Sequence, residues 1–206
     1  MIDEGKNTIG IKLLRGTLLL LMRLLFRIEH YGWERIPANG PLLIISNHVT
    51  YFDPFWIGVR CYRAIRFMAW DKLFSFAPAG MLFRWFGAFP VSLTNPESGA
   101  YKRALNTLRR GEALVIFPEG GRSSDGQLMP FKEGFAHLAL RTGATILPVL
   151  IQGGERVWGP AMRLPRPGKV RVNFLEPLPK ECFAKTAREL AIQVRSVMEK
   201  QVVSSQ

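Results

Sequence analysis

The sequence is short of several things, and each shortage closes a class of structure. Its 206 residues hold only 2 cysteines, Cys61 and Cys182, far apart and without a C-x-x-C spacing. That excludes a disulfide framework and offers no zinc pattern, so two reduced thiols are expected. In the apolar N-terminal segment the uncharged stretch runs only from Gly16 to Met22. A membrane-spanning helix needs roughly 20 such residues, and no small-residue cleavage site follows, so neither a span nor a signal peptide is expected. The glycine-rich stretch Gly120 to Gly126 lacks the G-K-[ST] ending of a P-loop, and there is no G-x-S-x-G elbow. Acidic residues are scarce, 16 Asp plus Glu against 28 Lys plus Arg, for a formal net charge of +12. Anionic partners follow from this: nucleic acid, anionic lipid or a phosphorylated substrate. The alternation of aromatic and basic residues that marks a single-strand nucleic-acid binder is missing.

What is present suits one well-packed domain, with 48% hydrophobic and 21% charged residues. Ahead of it, Thr8 to Ile28 reads as a cationic amphipathic helix. At about 100° per residue, Lys12, Arg15, Arg23 and Arg27 share an arc of roughly 120°. Leu14, Leu18, Leu21, Leu24, Leu25 and Ile28 fill the opposite side. Such a helix lies in the bilayer interface, with leucines among acyl chains and cations on anionic headgroups. The alternative is a helix packed on the domain's own core, which would leave Leu19, Leu20 and Phe26 exposed. The expected division is therefore a membrane-associating helix over residues 1–30 and a folded domain over 31–206.

Beyond Gly32, short apolar runs alternate with amphipathic segments, as in an α/β layer architecture. Pro41 to Ser46 predicts a buried strand, and Asp53-Pro54 an N-cap and first turn opening a helix towards Tyr62. Further strands are predicted over Ile65–Ala69, Ala88–Ser92, Ala113–Phe117, Thr145–Ile151 and Val170–Phe174. Further helices are predicted over Phe74–Phe86, Pro96–Arg110, Phe131–Arg141 and Ala184–Val202, with Gly111 and Gly143 as stops.

Two polar clusters stand directly after apolar strands, where α/β sheets open into ligand crevices. In the first, Ser46-Asn47-His48-Val49-Thr50-Tyr51-Phe52-Asp53-Pro54, a turn would let Asp53 orient the His48 imidazole through Nδ1 and leave Nε2 free as a general base. The residues alone equally allow a capping aspartate beside an ordinary loop histidine. The second, Phe117-Pro118-Glu119-Gly120-Gly121-Arg122-Ser123, combines close backbone approach at glycine with a guanidinium fork suited to phosphate. Glu119 would fix Arg122 by a salt bridge or hold a hydroxyl. A glycine turn carrying a surface ion pair is the alternative. Lys132 and Gly134 follow at a predicted helix N-terminus, which favours an anion.

Together, H-x-x-x-x-D and F-P-E-G-x-R-S, roughly seventy residues apart, resemble the 1-acylglycerol-3-phosphate acyltransferase family of glycerolipid synthesis. The similarity runs from about Tyr31 to Pro179, with Gly87-Ala88-Phe89 as a second block and Leu147-Pro148-Val149 as a fourth. The resemblance implies a single α/β domain of the glycerolipid-acyltransferase kind, with a mixed sheet flanked by helices. It implies His48 as catalytic base, Asp53 as its orienting partner, and Glu119, Gly120, Arg122 and Lys132 at the acceptor. The activity it implies is transfer of a fatty acyl group from acyl-CoA or acyl carrier protein to the sn-2 hydroxyl of 1-acyl-glycerol-3-phosphate. No metal and no resident cofactor are implied, nor nucleic acid. The implied setting is the cytoplasmic face of the cell membrane, on anionic lipid, as a peripheral or monotopic protein. Without a serine elbow or a Cys near a His, direct attack by the acceptor hydroxyl is expected rather than an acyl-enzyme. Two positions depart from the family pattern: Gly121 stands where threonine is common, and Ser92 where a basic residue follows the second block. Lys102 or Arg103 could substitute for the latter. The departure at Ser92 leaves another lyso-lipid, a lyso-aminolipid or other lysophospholipid, as the alternative acceptor. A non-enzymatic basic lipid-binding protein would account for the charge but leave both polar clusters without a purpose.

Overall fold

Apolar runs too short for helices, rich in Leu, Ile and Val, form a seven-stranded sheet, and the amphipathic segments between them form its helical cover. The computed structural model describes residues 24–75, 80–81, 83–84, 86–91 and 99–204, together with Leu13, Gly16, Thr17 and Leu20. In chain order the strands are β1 (Ile28–Tyr31), β2 (Leu42–Ser46), β3 (Ile65–Trp70), β4 (Ala88–Val91), β5 (Ala113–Ile116), β6 (Thr145–Gln152) and β7 (Val170–Phe174). The helices are α1 (Asp53–Arg60), α2 (Gly99–Arg109), α3 (Gly134–Thr142), α4 (Gly154–Trp158) and α5 (Ala187–Ser204). The spatial order is β1-β7-β6-β2-β5-β3-β4. The five strands from β6 to β4 are mutually parallel, while β7 runs antiparallel to β6 and β1 parallel to β7. The sheet is thus mixed, as expected.

Strand β2 accounts for the layering. All five of its residues are buried, and successive side chains point to opposite faces. Leu42 and Ile44 join Trp56 and Ile57 of α1, with Val115, Leu147 and Val149, in one apolar cluster. Leu43 and Ile45 join Leu105 and Leu108 of α2, Phe135 and Leu138 of α3, and Leu190 and Val194 of α5 in the other. Each fully buried aliphatic or aromatic side chain contributes about 1.5–3 kcal/mol. Because β6, β2 and β5 are adjacent and parallel, their C-terminal ends open at one edge of the sheet. The segments 47–52 and 117–133 and helix α4 meet there.

Three differences from the expected elements have local causes. Helix α3 begins at Gly134 rather than Phe131, because the Lys132 N–H donates to Pro118 O at 2.9 Å and ties that stretch to the preceding loop. The helix expected over Phe74–Phe86 lies partly outside the described residues; its start is a 3-10 turn, Asp71–Phe74. Most of the expected N-terminal amphipathic helix also lies outside them. Leu24 to Phe26 are helical, but Ile28 opens β1 and pairs with Val170, with Arg27 between them at φ 41°. The expected division at residue 30 therefore falls within β1, and Phe26 and Ile28 belong to the core. Among the described residues no helix is long and apolar enough to cross a membrane.

Candidate active site

At the end of β2 the backbone leaves the sheet, but its pairing does not stop. Asn47 is buried; its Nδ2 donates to Ile151 O and its Oδ1 accepts from Ile151 N–H, both at 2.8 Å. The side-chain amide stands in for one more peptide unit and fixes where the next residue, His48, begins its turn. Asp53 closes that turn. Its fully buried carboxylate accepts from His48 Nδ1 at 2.7 Å, Val49 N–H at 2.7 Å and Thr50 N–H at 2.9 Å through Oδ2, and from Thr50 Oγ1 at 2.8 Å through Oδ1. This corrects the expected N-cap. Asp53 is the first residue of α1, Phe52 takes the cap position, and no side chain caps the helix. Four loop donors outweigh the one or two a cap would supply, so the carboxylate turns back on the loop. An ionised carboxylate only accepts, so the Nδ1 atom of His48 carries the proton of this bond and Nε2 is the ring nitrogen left to exchange a proton with a substrate. The ring stacks on Phe117, with centroids 4.2 Å apart and planes 22° apart, and its side chain remains 23% exposed.

The second cluster holds the His48 backbone from the other side. Ser123 N–H donates to His48 O at 2.8 Å. Glu119 accepts from His48 N–H and from Met129 N–H, at 3.3 Å each, one on either carboxylate oxygen. Burial pushes the Glu119 pKa up to about 7, against the pull of those two N–H groups, and the neighbouring Asp53 charge adds to the rise. Each Glu119 oxygen accepts one backbone N–H and keeps a lone pair on which an acceptor hydroxyl could also donate.

Of the two roles open to Glu119, the ion pair with Arg122 does not form. Arg122 instead lies over the Tyr51 ring, 3.6 Å from its centroid, and its buried Nη1 has no hydrogen-bond partner among the described residues. Gly120 has φ 70°, a backbone conformation that side chains rarely adopt, and a Cβ there would collide with Lys132 Nζ. Lys132 therefore projects over the glycine loop, exposed. Two cations, Arg122 and Lys132, thus stand beside one glycine loop, neither paired with a carboxylate among the described residues, an arrangement that suits an anion.

All six residues expected from sequence converge at this edge. Asn47, Thr50, Tyr51 and Gly154 were not singled out. A Cβ on Gly154 would lie 2.7 Å from Val49 and 2.9 Å from Thr50, so α4 backs the His48 turn directly. Asn47 had a readable signal, a polar side chain directly continuing a buried strand, which must find partners. Gly154 had none. Ser92 lies outside the described residues, and Lys102 and Arg103 lie exposed on α2. Among the described residues no group of three His, Cys, Asp or Glu side chains is placed to hold a metal.

The sequence profile of the family described as Acyltransferase matches residues 27–152, taking in both clusters and the strands that carry them. The chain belongs to the acyltransferase family. Among curated proteins, this family member is 29% identical over 174 residues to the 1-acyl-sn-glycerol-3-phosphate acyltransferase of Bacillus subtilis, covering 84% of each chain. It is 30% identical over 154 residues to the protein of that name from Limnanthes alba, covering 73% of this chain and 54% of that one. The chain spans about half the length of the plant relatives it matches, 39% for a chloroplastic one from Brassica napus. The crystal structure of the 1-acyl-sn-glycerophosphate (LPA) acyltransferase PlsC from Thermotoga maritima superposes with a TM-score of 0.76 at 24% identity. It covers 96% of this chain and 83% of that one, and shares the fold.

Proposed function

We propose that this acyltransferase moves a fatty acyl group from a thioester carrier to the sn-2 hydroxyl of 1-acyl-glycerol-3-phosphate, giving phosphatidic acid. One observation carries the reading: the 2.7 Å Nδ1–carboxylate bond between His48 and a fully buried Asp53, which leaves Nε2 directed away from its anchor. His48 Nε2 takes the proton of the acceptor hydroxyl as its oxygen attacks the thioester carbonyl. The carbon–sulfur bond breaks, and the imidazolium returns the proton to the departing thiolate. Asp53 orients the ring and stabilises the imidazolium. Arg122 and Lys132 hold the acceptor phosphate, the glycine at 120 lets it approach the backbone, and Glu119 holds the two loops in register. The donor is acyl-CoA or acyl carrier protein, with no resident cofactor or metal. The protein works peripherally on anionic lipid at the cytoplasmic face of the membrane.

Positioned general-base catalysis is worth roughly a hundredfold to ten-thousandfold. The first test is thiol release from long-chain acyl-CoA by the whole chain in detergent, with and without lysophosphatidic acid, alongside His48→Ala. Release that depends on the acceptor and falls by about that factor in the variant is the expected result. A variant with near-normal turnover removes His48 from the mechanism. Release with another lyso-lipid and none with lysophosphatidic acid moves the acceptor assignment to that lipid.

A further inference from the structure

We infer that the groove between α2 and α3 docks an acidic, helical carrier protein that brings the acyl thioester to the site. The inference rests on the acyl-transfer reading above and adds which face the donor's carrier occupies. Because β4 and β5 run parallel to β2, the segments after them start from the edge that holds His48. Helix α3 begins at Gly134, two residues beyond Lys132. The groove, an open and shallow one of about 650 Å³, runs along α3 with Tyr101 of α2 at its side and is lined by Tyr101, Gly134, His137, Leu140 and Arg141. It therefore starts beside the site and runs away from it along the helices.

The chemistry of this face is predominantly basic. Neither α2 (GAYKRALNTLR) nor α3 (GFAHLALRT) contains an acidic residue, and the exposed Glu133 stands one residue before α3. Lys102, Arg103, Arg109 and Arg141 are all exposed, and none pairs with a carboxylate among the described residues. At helical spacing Lys102 and Arg109 fall within about 100° of Tyr101, on one side of α2. Tyr101 and Leu140, 36% and 40% exposed, place apolar surface between these cations. An apolar centre with a charged rim is the pattern of a protein interface, and a shallow groove along a helix leaves room for a further helix to pack beside it. Acidic side chains on that helix would complement these cations. A bilayer, being flat, meets the sheet edge where the lipid acceptor arrives, not a trough descending the side of the domain. A carrier seated here leaves that edge to lipid and has its thioester beside Lys132 and His48.

The test compares two donors on the whole chain in steady-state transfer to lysophosphatidic acid: acyl-CoA and the same acyl group on acyl carrier protein. Arg109→Glu, Arg141→Glu and the double variant are measured beside the unaltered protein. Like charges set against the carrier are expected to raise its KM about tenfold or more, with kcat unchanged. Acyl-CoA kinetics should stay within about twofold, which also shows that the variants fold. An unchanged carrier KM overturns the proposal, as does equal loss with both donors, or use of acyl-CoA with none of the carrier-borne donor. Turnover of neither donor by the unaltered protein overturns the acyl-transfer reading itself.

Discussion

At the residue scale, two buried carboxylates do different work, and their chemistry separates them. Asp53 must be charged to accept four donors at once. In Asp53→Asn, one position now offers N–H to groups that are themselves donors, and the imidazolium loses its counter-charge. The expected outcome is a kcat reduced about a hundredfold to ten-thousandfold with acceptor KM little changed, measured by initial rates in the two substrates. Glu119 is the opposite case, with a pKa raised by burial to about 7. Between the unfolded value near 4.5 and 7 the folded protein binds a proton that the unfolded chain does not. Stability is therefore greatest below about pH 4.5 as far as this group is concerned, and falls as pH rises towards 7. The loss is about 1–3 kcal/mol. Glu119→Gln removes that slope, so thermal melts at pH 5 and pH 8 should differ by less in the variant than in the unaltered protein. The histidine–aspartate pair was legible in the sequence as a spacing, and so was the presence of an arginine after the glycines. That Arg122 turns to Tyr51 rather than Glu119 was not legible. Both placements depend on segments distant in the chain: the Glu119 carboxylate faces the His48 and Met129 N–H groups, while the Tyr51 ring takes the guanidinium.

At the element scale, strand ends place the chemistry. The central strands were readable because they are buried on both faces and so appear as unbroken apolar runs, LLIIS in β2 and ALVI in β5. β1 was not readable. Its four residues, IEHY, are half-buried and polar on one side, and Ile28 extends the periodicity of the helical segment before it. What the elements add to the site is the Asn47 bridge between β2 and β6. Asn47→Ala leaves Ile151 N–H and C=O buried without partners, at about 1–3 kcal/mol each before relaxation. The expected total, about 2–4 kcal/mol, is measurable by urea unfolding. Because His48 starts from this bridge, turnover should fall at temperatures where the variant is still folded. Loss of stability with unchanged turnover would show that the bridge serves the sheet and not the turn.

At the scale of the whole molecule, the net charge of +12 and the N-terminal segment have to be accounted for together. The positive charge suits an anionic bilayer at about 1 kcal/mol per Lys or Arg near the surface, and Lys12, Arg15 and Arg23 concentrate it before residue 24. The core makes a sharp demand on where that segment may be cut. Phe26 and Ile28 are buried, and the Phe26 ring lies 5.6 Å from that of Phe52 in the turn between His48 and Asp53. Removal of residues 1–24 spares both side chains. Removal of residues 1–30 takes them out with three of the four residues of β1, at a cost of about 3–6 kcal/mol in apolar burial alone. Against a typical stability of about 5–15 kcal/mol, that is enough to threaten folding. The shorter deletion is therefore expected to melt within a few degrees of the whole chain. It should lose co-flotation with phosphatidylglycerol vesicles, and the whole chain should lose it progressively as salt is raised. The longer deletion should fail to fold cooperatively. If the shorter deletion floats as well as the whole chain, the bilayer contact lies on the folded domain, and the sheet edge carrying Arg122 and Lys132 becomes the surface that meets lipid.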